Sequence, residues 1–230
     1  MTPADLRFAM LVGGSPRGVS PELLWELADG TSLVVAVDSG GDWCQAAGLI
    51  PDLLVGDMDS VQPEVRTAFA AQEVEEVIYP VDKSATDLEL ALQLIQERGF
   101  SDLVVTNILG GRVDHELAAL GNLAAAGAAG LAITVVEPHQ TLIFLNNPGA
   151  RQHLQLGFAP DTDAQSSPPI SLIPWGGAAT VSATGFKWEL QQAVLEPGQS
   201  LGVSNLAANN IPLIELDSGA LIVVVQTPAV

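Results

Sequence analysis

The sequence predicts an α/β chain: a doubly wound, mostly parallel sheet domain followed by a small antiparallel β-sandwich domain, divided at 1–139 and 140–230. Three observations carry this expectation. Short apolar runs rich in Val, Ile and Leu alternate with helical patterns through the first part, those runs lack a polar face of period two, and after about His139 the long helical patterns stop while short β-rich runs continue. A strand that is apolar at every position is covered on both sides, as parallel strands under crossover helices are. Strand and helix in alternation then give the doubly wound layer.

In order, strands are expected at 8–12, 33–37, 53–55, 76–79, 103–109 and 132–136, with helices at 21–28, 40–47, 62–71, 86–98 and 114–126. Residues 117–136 are nearly free of charge and resemble a membrane span in hydropathy alone. They are mostly Ala and Gly, with Asn122 inside and a Gly127/Gly130 break, which reads instead as a buried helix, a turn and a buried strand. The second part has β-rich runs at 141–145, 170–175, 179–182, 214–216 and 221–226. Turn signals at Asn147-Pro148-Gly149, Gly176-Gly177, Pro197-Gly198 and Ser218-Gly219 separate them, and 159–169 reads as an exposed loop.

A chain of 230 residues with 48% hydrophobic content fills a real core without covalent staples. The single cysteine, Cys44, excludes an intramolecular disulfide, and with no Cys/His cluster beside it a zinc site is not expected either. In Trp43-Cys44-Gln45-Ala46-Ala47 it reads as a small buried side chain, and a reducing cytosol fits this usage. Met1-Thr2-Pro3-Ala4-Asp5 lacks a basic stretch and Arg7 interrupts the apolar run that follows, so no signal peptide is expected. The net charge of −19, from 27 acidic and 8 basic residues, would repel a nucleic-acid backbone. The same acidity is either a solvated surface or a welcome for a cationic substrate or metal.

The motifs fall at strand ends, where ligands sit in open α/β sheets. Pro51-Asp52 leads through an apolar strand to Gly56-Asp57-Met58-Asp59-Ser60, and Asp57 and Asp59 either aim at one hard cation or serve as turn and N-cap residues. In Asp82-Lys83-Ser84-Ala85-Thr86-Asp87, Ser84 or Thr86 caps the next helix, whose free N–H groups also suit a phosphate oxygen. Lys83 is one of only two lysines. In Gly110-Gly111-Arg112-Val113-Asp114-His115 the glycines allow close backbone approach and Arg112 offers a planar fork for phosphate. Asp114 caps the helix or joins the metal site, and His115 reads as a first-turn residue satisfied locally. Gly13-Gly14-Ser15-Pro16-Arg17-Gly18 is neither a dinucleotide fingerprint nor a P-loop, and is a phosphate-facing loop or a plain turn. Asp38-Ser39-Gly40-Gly41 ends the second strand, where a carboxylate reads a ribose or supports a metal.

These segments, in this order, resemble thiamine pyrophosphokinase, and the likeness continues through Thr184-Gly185-Phe186-Lys187-Trp188 and Val203-Ser204-Asn205. The resemblance implies diphosphate transfer from ATP to the thiamine hydroxyl, with Mg²⁺, an α/β catalytic domain, a β-sandwich thiamine-binding domain and a homodimer. It implies Asp57, Asp59 and Asp87 as metal ligands, Asp87 otherwise accepting the hydroxyl proton. Lys83, Thr86 and Arg112 would grip the phosphates, Asp38 with Gly40 would shape the nucleotide pocket, and Gly111 and Asp114 would join them in binding the co-substrate. By the same resemblance Asp57, Asp59, Asp87 and Arg112 would form the catalytic set and Trp188, Ser204 and Asn205 would face thiamine, Trp188 stacking on a cationic ring unless it belongs to the sandwich core. Ser39 stands where glycine is expected and Leu206 where an acid is expected. The alternatives are a related diphosphokinase acting on another small alcohol, such as a hydroxymethylpterin, and a catalytically silent nucleotide-binding domain.

Overall fold

The computed structural model of the chain describes residues 8–146 and 150–227. Two compact units meet at Pro138/His139. The turn expected at Asn147-Pro148-Gly149 and the N-terminal stretch Met1 to Arg7 lie outside the described residues.

The first unit runs β1 (Phe8–Val12), α1 (Pro21–Ala28), β2 (Leu33–Val37), α2 (Gly40–Ala47), β3 (Leu53–Gly56), α3 (Pro63–Ala70), β4 (Glu75–Ile78), α4 (Asp87–Glu97), β5 (Asp102–Thr106), α5 (Val113–Ala128) and β6 (Ala132–Glu137). Every pairing among these strands is parallel, in the order β6-β5-β1-β2-β3-β4. Local chemistry sets the helix ends. The Ser20 side chain accepts from Leu23 N ahead of Pro21 in α1, Thr86 accepts from Glu89 N at the start of α4, and α2 closes on Gly48 in the left-handed region.

The period of two along each strand divides its side chains between two faces. Met10, Val12, Val34, Ala36 and Leu54 form one core with Leu24, Cys44 and Phe69 from α1, α2 and α3. Ala9, Leu11, Val35, Leu53 and Val55 are fully buried as well, and α4 contacts β2 and β3. Both faces are therefore covered, which is why these strands read as continuous apolar runs. From β1 the chain winds outward to β4, then returns so that β5 lies on the other side of β1. The reversal puts a topological switch point between β1 and β5.

Two expectations need correction here. β5 ends at Thr106 and does not reach Leu109, because Asn107 takes φ +58 and turns the chain out of the sheet. In 117–136 the helix runs through Gly127 to Ala128 and the break falls at Gly130 alone, with Leu117 exposed, so α5 is half-buried. Among the described residues no helix is long and apolar enough to cross a membrane.

The second unit contains β7 (Gln140–Asn146), β8 (Gln152–Gln155), β9 (Pro169–Pro174), β10 (Ala179–Thr184), β11 (Leu190–Leu195), β12 (Asn205–Leu206), β13 (Leu213–Ser218) and β14 (Ala220–Gln226), with no helix among its described residues. All pairings are antiparallel, giving one sheet in the order β12-β9-β14-β7 and a second in the order β11-β10-β13-β8. Ile170, Leu172, Leu221 and Val223 from the first sheet close a core with Val181, Ala183, Ile214 and Leu216 from the second. β8, β11 and β12 are additional to the strands expected from sequence. Trp188 lies in the β10–β11 connection, not in a strand, and at 53% exposure it is not sandwich core.

Candidate active site

The loops after β1 and β5 are stitched together at the switch point. Gly13 N donates to Thr106 O at 2.9 Å, Ser15 N to Asn107 O at 2.8 Å, and Val19 N to the Asn107 side-chain oxygen at 2.9 Å. The Ser15 hydroxyl donates to Leu109 O, and Trp43 Nε1 to Ser15 O at 2.9 Å. Beside these loops opens a cavity of about 1020 Å³ lined by the ends of β1, β2, β3 and β5 and by the starts of α4 and α5.

Of the residues singled out from sequence, Asp38, Asp59, Thr86, Asp87, Gly111, Arg112, Asp114 and His115 line this cavity, as do Gly13 to Pro16. Asp57 and Lys83 stand beside it and join it through Asp87: Lys83 Nζ lies 3.0 Å from Asp87 Oδ1 and 3.6 Å from Asp57 Oδ2. Gly40 does not itself line the cavity but follows Ser39, which does, and packs against the β1 backbone, where a Cβ would sit 2.1 Å from Val12 O. Its smallness lets α2 start close to β1. Thr86, not Ser84, is the N-cap of α4, and its hydroxyl oxygen also accepts from Asn122 Nδ2 at 2.9 Å.

The acidic cluster is electrically uneven. Asp57 is held below the ordinary carboxylate value, first by the Asp59 backbone N–H and further by Lys83, whereas Asp59 is raised by its hydrogen bond with Asp57 and by that residue's charge. Burial alone would lower Lys83, but the hydrogen bond and charge of Asp87, with the charge of Asp57, hold it above the usual lysine value. Asp38 lies deeper, pushed up to about 7 by burial and then by Asp87 and Asp57. Its Oδ1 is buried without a hydrogen-bond partner. Gly56, at φ +151, faces Asp38, and a Cβ there would come within 1.8 Å of that Oδ1. Asp38, Met58 and Asn107, following β2, β3 and β5, are non-glycine residues at φ +49, +67 and +58. Asp59 feels the charge of both Asp57 and Asp87, and carboxylate oxygens are the donors a hard cation takes, yet among the described residues no three His, Cys, Asp or Glu side chains are arranged to hold a metal ion.

Sequence reasoning missed two carboxylates. Glu137, at the end of β6 and 4% exposed, accepts from Ile108 N at 2.7 Å and Leu109 N at 3.1 Å. Glu116, in the first turn of α5, accepts from Gly110 N at 2.8 Å and Gly111 N at 2.7 Å. A charged residue closing the apolar run Ile133 to Val136 was the legible signal for the first. Arg112 is held by Asp114 through two bonds, at 3.2 and 2.6 Å.

In the second unit Asn205, 3% exposed, spends its amide on the chain itself. Oδ1 accepts from Trp188 N at 3.1 Å and Leu206 N at 2.9 Å, while Nδ2 donates to Trp188 O at 2.7 Å. It positions the backbone of Trp188, whose ring carries Lys187 Nζ at 4.5 Å from its centroid. Ser204 N donates to Ser171 Oγ at 3.0 Å.

A switch-point cavity beside paired aspartates, with a lysine between carboxylates and a glycine-arginine loop at a helix start, has the donors and the place of a ligand site in an open α/β sheet. The model of the thiamin pyrophosphokinase catalytic domain matches residues 24–135, and that of the thiamin pyrophosphokinase vitamin B1 binding domain matches 158–221. The chain belongs to the thiamin pyrophosphokinase family. It is 26% identical over 221 residues to thiamine pyrophosphokinase of Bacillus subtilis, covering 94% of this chain and 97% of that one. It is 28% identical over 181 residues to thiamine pyrophosphokinase 2 of Arabidopsis thaliana, covering 74% of this chain and 64% of that one. In fold it is similar to the crystal structure of thiamine pyrophosphokinase from Bacillus subtilis, with a TM-score of 0.79 at 24% identity over 96% of this chain and 99% of that one. The thiamin pyrophosphokinase of Candida albicans shares the fold at a TM-score of 0.78 and 16% identity, over 96% of this chain and 89% of that one. These names do not favour the pterin or silent-domain alternatives.

Burial raises Glu137 from 4.5 to about 7, against the pull of the Ile108 and Leu109 N–H groups. Between those values the unfolded chain has released a proton that the folded chain keeps, so this group makes stability fall as pH rises. Glu137→Gln keeps an acceptor for both amides and removes the titration. Denaturant midpoints measured at several pH values across that window should therefore decline less steeply in the variant; equal slopes would exclude the assignment.

Proposed function

We propose that the chain transfers the terminal diphosphate of ATP to the hydroxyethyl oxygen of thiamine, releasing AMP. The observation carrying this reading is the contact of Lys83 with Asp57 and Asp87 at the edge of a cavity that also presents Gly111 and Arg112. Residues 1–139 would hold ATP and metal, and 140–230 thiamine.

The oxygen-only set of Asp57, Asp59 and Asp87 fits Mg²⁺, which needs no closed protein cage because water and phosphate complete its shell. Bound there, the ion would neutralise charge on the polyphosphate. Lys83 and Arg112 would exchange their carboxylate partners for phosphate oxygens, holding the chain of phosphates in line. The thiamine oxygen attacks the β-phosphorus, the bond from that phosphorus to the α–β bridging oxygen breaks, and the electron pair leaves with AMP. The hydroxyl proton passes to a carboxylate of the cluster. Trp188, exposed and already under a lysine ammonium, is a platform for the cationic thiazolium ring.

Two copies of the chain would act together, a reading supported by exposed Trp188, Val194, Leu201 and Val203 in the second unit. A reducing cytosol suits a lone cysteine that is buried and free.

Purified protein given ATP, Mg²⁺ and thiamine should produce AMP and thiamine diphosphate in equal amounts, and none when hydroxymethylpterin replaces thiamine. Asp57→Asn should lower kcat at least about 100-fold with circular dichroism unchanged, since it removes anionic charge from the metal site; near-normal turnover would refute that role. Trp188→Ala should raise the thiamine KM about 10-fold and leave the ATP KM and Tm close to the parent, because the ring is exposed. A large fall in Tm with both KM values moved alike would remove Trp188 from the site. Sedimentation of micromolar protein should give the mass of a dimer; a fully active monomer would sink the shared arrangement.

A further inference from the structure

Four successive backbone N–H groups between β5 and α5 donate in pairs to two carboxylates of the same chain. Ile108 and Leu109 use Glu137 Oε1, at 2.7 and 3.1 Å, while Gly110 and Gly111 use Glu116 Oε1, at 2.8 and 2.7 Å. The two acceptors differ in how replaceable they are. Glu137 is buried at the end of β6 and anchors its half of the loop. Glu116 is only half-buried, lines the cavity, and holds the two amides that are exposed there.

A carboxylate oxygen and a phosphate oxygen offer a pair of N–H groups the same kind of charged acceptor. The neighbouring Arg112 is engaged in the same manner by Asp114. Each phosphate-binding donor on this loop thus starts with an anion supplied by the chain, and ligand binding is an exchange of one anion for another.

We infer that Glu116 is an affinity-setting residue, an internal stand-in for phosphate that ATP must displace from the Gly110 and Gly111 amides. The inference rests on the phosphate site proposed above. Displacement leaves a negative side chain beside a negative ligand, in a chain whose net charge is already −19, so Glu116 opposes binding twice. The loop keeps its course meanwhile because Glu137 retains the preceding two amides.

The discriminating sign is a gain. Equilibrium binding of ATP in the presence of Mg²⁺, and separately of adenosine, is measured for the parent, Glu116→Gln and Glu116→Ala. The expected result is an ATP Kd lowered about 3- to 10-fold in both variants, with adenosine affinity unchanged because it carries no phosphate. Glutamine remains a neutral, weaker acceptor for the same amides, so Glu116→Gln decides the matter if the alanine variant fails to fold. Unchanged or weaker ATP binding by folded Glu116→Gln overturns the inference alone, as does an equal tightening for adenosine. Failure of parent and variants alike to bind ATP removes the phosphate site and the inference with it.

Discussion

Asn107 is the residue on which the rest of the site depends. Its left-handed backbone ends β5, its carbonyl and side-chain oxygens accept from Ser15 N and Val19 N, and Thr106 Oγ1 bonds both to its side chain and to Val136 O. One fully buried amide therefore fixes where the β1 loop, the β5 loop and the end of β6 lie with respect to one another. The switch point creates a crevice in any sheet of this order; here Asn107 ties together the two loops that border it.

Within that crevice the dominant problem is charge. The chain is acidic, and two of its few cations, at the site, are held by carboxylates: Lys83 by Asp57 and Asp87, Arg112 by Asp114. Exposed pairs of the Arg112 kind contribute little to stability, so giving them up costs the fold almost nothing. On the function proposed above, they would keep the cations positioned and partnered until phosphate arrives. The buried carboxylates behave differently: Asp38 and Glu137 are pressed toward neutrality by their surroundings, and Glu137 accepts from the backbone after β5.

The α/β half was legible almost residue by residue, because a strand covered on both faces leaves an unbroken apolar run and turn or cap residues such as Ser20, Gly48 and Thr86 mark helix ends. Residues 21–28 and 40–47 show this, where Ser20-Pro21 and Gly48 mark the boundaries. Strands that bury little leave little pattern: Gln152–Gln155 has one leucine among polar residues, Leu190–Leu195 is mostly exposed, and Asn205–Leu206 is two residues long. In the site, the motif carboxylates could be read from their spacing. Glu116 and Asn107 could not, since their partners are backbone amides that become neighbours only once the chain has folded, and Glu137 showed only as a charged residue closing an apolar run. Asn205 was legible as a position but not in its role, which depends on an amide turned toward the backbone of Trp188.

Asp38, Met58 and Asn107 each keep a side chain in a backbone region where L residues pay in strain, of order 1–3 kcal/mol apiece. These three positions follow β2, β3 and β5 at the sheet edge beside the cavity. Selection for heat resistance would find its easiest gains there, since glycine relaxes each turn, and every such exchange would strip away a carboxylate, a core contact or the amide that joins the loops. Thermal hardening of this enzyme is therefore better sought away from the rim, in the exposed strands and turns of the second unit, where robustness and turnover do not draw on the same residues.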